Sequence, residues 1–184
     1  MKKLMIVMAA IALAGVAQAS AFDWKTGMGG QVYQAGSTSA TVSGLTAYLF
    51  DAAVTSQSAA FTALSGGTAV TSIAGKLDDA SVSSGKITAK STPFDWGSAG
   101  NTLTAYFVLV DGDNFYISGT QSAAADASAT KHLSFNEKTA SQAALNTSGS
   151  YSGAGWYGAA VPEPTSGLLM LVGIGALALR RRRA

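Results

Sequence analysis

The sequence predicts a mainly β chain: a small β-sandwich-like passenger with one or two short helices, flanked by an N-terminal signal peptide and a C-terminal apolar helix. Three observations carry this expectation. Short runs of apolar and β-favouring residues recur between Gly, Ser and Asp turns. Only two stretches show helical spacing. Both ends differ from the middle in charge and hydropathy, which divides the chain into 1–19, 20–157 and 158–184.

The first segment, "MKKLMIVMAAIALAGVAQAS", places Lys2 and Lys3 before an apolar stretch from Leu4 to Val16. It ends on the small-x-small exit Ala17-Gln18-Ala19, the pattern of a secretory signal peptide. Signal peptidase would cut after Ala19 and leave Ser20 as the new N-terminus. The chain has no cysteine, which excludes a lipid-modified N-terminal cysteine, a disulfide framework and a thiolate metal site. A core alone must then hold the passenger, and roughly 140 residues suffice for one.

Within the passenger, "GLTAYLF" from Gly44 to Phe50 reads as a strand. "NTLTAYFVLVDGDNFYISG" reads as a hairpin: Leu103 to Val110 is nearly continuous and apolar, as in a strand covered on both faces. Asp111-Gly112-Asp113-Asn114 supplies its turn and Phe115 to Ser118 returns. Weaker strands are expected at "QVYQA" near Val32, "SATVSG" near Val42, "ASVSSGKITAK" around Val82 and Ile87, and "KHLSF" at Lys131 to Phe135. "SQSAAFTALSGG" sets Ala59, Ala60, Ala63 and Leu64 at helical spacing before two glycines, and "EKTASQAALNTSG" from Glu137 is a less amphipathic second helix. "FDW" and "LTAY" each occur twice, but they lie 23 residues apart in one pair and 9 in the other. Shared strand composition explains these echoes better than duplication. From Thr147, "TSGSYSGAGWYGAA" suggests a flexible linker. Trp156 and Tyr157 complicate that reading, because they could dock on the domain or sit at a membrane interface; a mobile linker is expected after about Tyr157.

The tail closes with "VPEPTSGLLMLVGIGALALRRRRA". Gly167 to Leu179 is thirteen residues, about 20 Å as a helix against a hydrocarbon core of about 30 Å. Five leucines, a valine and an isoleucine favour insertion by only about 0.3–0.6 kcal/mol each, and three glycines weaken the helix. Arg180, Arg181, Arg182 and Arg183 follow, and moving each across the bilayer costs about 2.5 kcal/mol or more. The run can enter the membrane but not pass through it. Lysines before the first apolar run and arginines after the last hold both on the cytoplasmic side, with everything between exported. This is a temporary hold rather than a permanent anchor.

Val161-Pro162-Glu163-Pro164, a short apolar run and a basic cluster, in that order, resemble the PEP-CTERM sorting signal of Gram-negative bacteria. The resemblance covers about the last twenty-four residues. It implies processing near Pro-Glu-Pro by exosortase, a membrane protease-transpeptidase, after a transient stay in the inner membrane. The destination it implies is the cell surface or extracellular polysaccharide. The two prolines block helix continuation and favour an extended segment, which suits presentation to a protease.

No catalytic, metal or cofactor site emerges from the passenger sequence. Its single histidine, His132, excludes a multi-histidine metal site and reads as an exposed strand position; no Gly-x-Ser-x-Gly elbow marks a nucleophile. Asp111 to Asn114 lacks the further oxygens of a calcium loop and reads as a turn. Asp78-Asp79 reads as a solvated turn, and Asp51, Asp95 and Asp111 cannot be placed around a cleft from sequence. The net charge of +2 arises at the ends, since residues 20–161 hold nine acids against six lysines, and no basic patch points to nucleic acid. The leading expectation is an exported structural protein of the surface or matrix. The alternative is a carbohydrate-binding module acting on exopolysaccharide, with Trp24 and Trp96 stacking on sugar rings.

Overall fold

The computed structural model describes residues 21–96, 100–124, 131–136 and 143–158. The signal segment with Ala17, Ala19 and Ser20, the apolar tail and residues 137–142 of the second expected helix lie outside the described residues.

The fold is mainly β. In order come β1 (Ala21–Thr26), β2 (Thr46–Asp51), α1 (Gln57–Ser65), a 3-10 turn (Val70–Ser72), β3 (Lys76–Ser83), β4 (Lys86–Ile87) and β5 (Lys90–Pro93). After these come β6 (Thr102–Asp111), β7 (Asn114–Ile117), β8 (Gln121–Ala124), β9 (Lys131–Phe135), β10 (Leu145–Asn146) and β11 (Gly155–Gly158). One sheet has the order β5-β1-β9; the other runs β10-β11-β7-β6-β2-β3-β4, with β8 also paired to β6. β1 and β9 are parallel, and their register sets Asp23 beside His132 and Trp24 beside Leu133.

Side-chain alternation divides the interior into two cores. On β6, Leu103, Ala105, Phe107 and Leu109 face a core shared with Phe22 and Trp24 of β1 and Leu133 and Phe135 of β9. Tyr106 and Val108 face the opposite way, into a second core with Phe61 and Leu64 of α1. β2 divides likewise, sending Ala47 and Leu49 to the first core and Phe50 to the second. The smaller sheet therefore covers one face of the larger and α1 the other. This is why Leu103 to Val110 reads as continuous apolar sequence: both faces of β6 are buried.

Local chemistry fixes the ends of these elements. Ser56 caps α1, its hydroxyl accepting the Ala59 N–H at 3.2 Å, and the helix stops at Gly66. Its buried residues are Ala60, Phe61 and Leu64, whereas Ala59 is exposed. The bulky Phe61 rotates the inward face from the one that alanine spacing suggests. The β6–β7 turn places Gly112, at φ +57°, first of its two central residues. In the β3–β4 turn Ser84 and Gly85 both take positive φ, and Gly85 lies so close to Val32 that a Cβ would meet its carbonyl oxygen at 2.7 Å. That contact corrects the expectation of strands near Val32 and Val42. Only a single bridge, Tyr33 to Thr41, forms there; the Val42 N–H bonds the Val32 carbonyl, while the Val32 N–H and the Val42 carbonyl both bond Gly85 at the tip of the β3–β4 turn.

Ser118 closes a gap in the ladder. One edge of β6 pairs with β7 over Val108–Asp111 and with β8 over Thr102–Ala105, leaving Phe107 at the junction. The Ser118 hydroxyl accepts the Phe107 N–H at 2.8 Å and donates to the Gly119 carbonyl at 2.9 Å, while the Ser118 N–H reaches the Phe107 carbonyl. Ser118→Ala strands the buried Phe107 N–H and is expected to lower stability by about 1–3 kcal/mol in urea unfolding, with the m-value unchanged.

Candidate functional site

The functional groups that the sequence singles out do not converge on one cleft. Trp24 is fully buried and Trp96 is 3 % exposed, so neither can offer a ring face to a sugar. This corrects the stacking expectation. The physical reason is the alternation of β1, which turns Phe22 and Trp24 into the first core. The two Phe-Asp-Trp segments in fact pack together: Phe22 meets Phe94 and Trp96 edge-on, with ring centroids at 5.7 and 6.4 Å.

Asp78 is not in a solvated turn. It lies on β3 with its side chain 13 % exposed and gathers three donors. Trp24 Nε1 donates to its Oδ2 at 2.9 Å, the Thr92 hydroxyl donates to the same oxygen, and Lys90 Nζ reaches Oδ1 at 2.7 Å. Trp24 comes from β1, while Thr92 and Lys90 come from β5, so one carboxylate ties the smaller sheet to the larger. Burial pushes its pKa up, but the bonds from Lys90, Thr92, Trp24 and the Asp79 backbone outweigh it and hold the carboxyl below its usual range. The partner Lys90 is pushed up by its bond to Asp78.

The other polar groups remain separate. His132 is exposed on β9, as expected, with Nδ1 3.5 Å from Asp23 Oδ2. Asp111 to Asn114 forms the expected turn. Asp51 lies level with Ala105 on β6, six residues from Asp111, which is about 20 Å of strand. Carboxylates that cooperate in glycoside hydrolysis stand about 5–9.5 Å apart. Among the described residues no group of three His, Asp or Glu side chains is arranged to hold a metal ion.

The point where the chain leaves the domain is the most informative feature. β11 pairs antiparallel with β7, aligning Gly155 with Ile117 and Gly158 with Asn114. Trp156 is fully buried; it meets Tyr116 at 5.5 Å and donates its indole N–H to the Tyr33 carbonyl at 2.7 Å. Tyr157 points to the opposite face, between Phe61 at 5.0 Å and Phe115 at 5.7 Å. The segment read as a flexible linker thus contributes a core strand, and docking is the fate of both rings.

Immediately beyond β11, residues 160–183 match the family model described as the PEP-CTERM protein-sorting motif. The chain carries a PEP-CTERM sorting motif. Val161 to Pro164, the apolar run and Arg180 to Arg183 all fall inside the match, although their geometry lies outside the described residues. The motif indicates an exported protein sorted to the cell surface through the membrane by exosortase. No curated protein and no solved structure matches the chain. Among the described residues no helix is long and apolar enough to cross a membrane.

Proposed function

We propose that this PEP-CTERM chain is a structural protein of the cell surface or extracellular matrix. Signal peptidase removes residues 1–19, the tail parks in the inner membrane, and exosortase acts near Pro162-Glu163-Pro164. The observation that carries the reading is the sorting motif, which begins two residues after a strand whose tryptophan and tyrosine are both buried. A domain that keeps its last strand while surrendering the tail can be delivered folded. The proposed role is non-catalytic: Asp78 is spent on joining two sheets, and Asp51 and Asp111 stand too far apart to act as a pair of glycosidase carboxylates. Exopolysaccharide is proposed as the surrounding matrix rather than as a ligand of Trp24 and Trp96.

Intact mass of the protein recovered from the cell surface and the medium tests this reading. The expected species begins at Ser20 and ends close to Pro-Glu-Pro. A mass that includes every residue through Ala184 at the final location would overturn the proposal.

A further inference from the structure

β1 starts at Ala21, so Ser20 alone stands between it and the Ala19–Ser20 bond that signal peptidase is proposed to cut. The first residues of β1 are tied into the sheet. Ala21 pairs with Pro93 and Phe22 with Thr92 on β5, and Phe22 also lies level with Lys131 on β9. Phe22 and Trp24 are fully buried, and Phe22 meets Phe94 edge-on at 5.7 Å. Drawing the start of β1 out of the sheet therefore exposes a core ring. One residue spans at most about 3.6 Å, less than the roughly 4.8 Å between two hydrogen-bonded strands. A peptidase that grips both sides of the bond has no room to lie along Ser20 and Ala21 while β5 and β9 hold the two edges of β1.

The order of elements along the chain keeps the same bond open early. β1 is the central strand of the smaller sheet, yet both of its neighbours come late, β5 at Lys90–Pro93 and β9 at Lys131–Phe135. A chain exported from its N-terminus presents β1 with no ladder partner until these segments have followed it across. The pairing with β9 is parallel and joins segments more than a hundred residues apart. Contacts of such high sequence separation close slowly, because the loop-closure entropy is lost before they form. Until then Phe22 and Trp24 are unburied and the chain on both sides of Ser20 can extend into an enzyme.

We propose that docking of β1 between β5 and β9 ends the access of signal peptidase to the Ala19–Ser20 bond, so that cutting must come before the smaller sheet closes. The inference rests on the reading of residues 1–19 as a signal peptide and adds a time limit to it. The reaction is hydrolysis: water adds across the bond, leaving a carboxylate on Ala19 and an amine on Ser20. Full-length precursor would be refolded from urea into detergent micelles and followed by tryptophan fluorescence. Purified signal peptidase would be added either at dilution or after the fluorescence has levelled. The refolded chain is expected to be cut at least about tenfold more slowly, because cleavage then follows the small population in which β1 has opened. Leu133→Asp, which sets a charge at a fully buried position of β9 beside Trp24, is expected to keep the initial rate at both times. A Gly/Ser insert of about twelve residues after Ser20 is expected to do the same with the fold intact. A refolded wild-type chain cut as fast as the freshly diluted one, or slow cutting of the refolded insert chain, would overturn the time limit alone. Precursor that is not cut after Ala19 even at dilution would overturn the signal reading and the time limit together.

Discussion

A chain spanning 20–158 is expected to fold as stably as one carrying the full tail, whereas a chain spanning 20–154 is expected not to fold. The difference is four residues, and two of them are core. Losing Trp156 removes a fully buried ring and its 2.7 Å bond to the Tyr33 carbonyl; losing Tyr157 opens the space between Phe61 and Phe115. Truncating one buried aromatic costs about 3–5 kcal/mol, against a total stability of about 5–15 kcal/mol for a domain. Deleting both, together with the ladder to β7, exceeds what a small domain can lose. Trp156→Ala alone should lower the urea midpoint by the single-ring amount, read by circular dichroism. Folding of the 20–154 chain with an unchanged midpoint would show that β11 is dispensable. The consequence for export is direct: a cut near Pro-Glu-Pro leaves the domain whole, and a cut ahead of Gly155 destroys it.

How legible such features are in the sequence depends on what hides each strand from water. β2 and the β6–β7 hairpin are plain in the sequence because their neighbours bury both faces, so composition alone announces them. β5 and β8 have no comparable signal. Lys90-Ser91-Thr92-Pro93 and Gln121-Ser122-Ala123-Ala124 are strands only because β1 and β6 offer them ladder partners. β1 does alternate, but the core that receives Phe22 and Trp24 is completed by Leu133 and Phe135, more than a hundred residues away. Without that partner an alternating Phe-Asp-Trp looks equally like an exposed binding surface. β11 is disguised by its glycine-rich surroundings, and its only cue is two adjacent aromatics, which a strand sends to opposite faces. The sorting tail shows the converse: motif, apolar run and basic cluster are legible from their order and composition alone, and residues 160–183 match the sorting-motif family without any reference to the fold.

Asp78 carries the second large effect, and pH exposes it. Asp78→Ala is expected to destabilise the domain by about 2–4 kcal/mol at neutral pH, since it strands the indole N–H of fully buried Trp24 and the hydroxyl of buried Thr92. Lys90 loses its partner as well, but it stays half-exposed and keeps its hydration, so the ion pair itself adds little. The folded carboxyl titrates below its ordinary value of 3.8, so near that value the unfolded chain binds more protons than the folded one. The contribution of ionised Asp78 is therefore fully present above the unfolded pKa and is lost as pH falls through the folded one. Urea midpoints followed by tryptophan fluorescence should separate wild type from Asp78→Asn by a constant margin from pH 7 to pH 5, and the margin should shrink below about pH 4. A margin that persists unchanged at pH 2.5 would mean that the acceptor oxygen, which the amide replaces by a donor, and not the charge, is what β3 supplies. A margin that vanishes already at pH 6 would place the titrating group elsewhere. The intermediate outcome, a loss confined to the acid limb, identifies this one carboxylate as the electrostatic link between the two sheets.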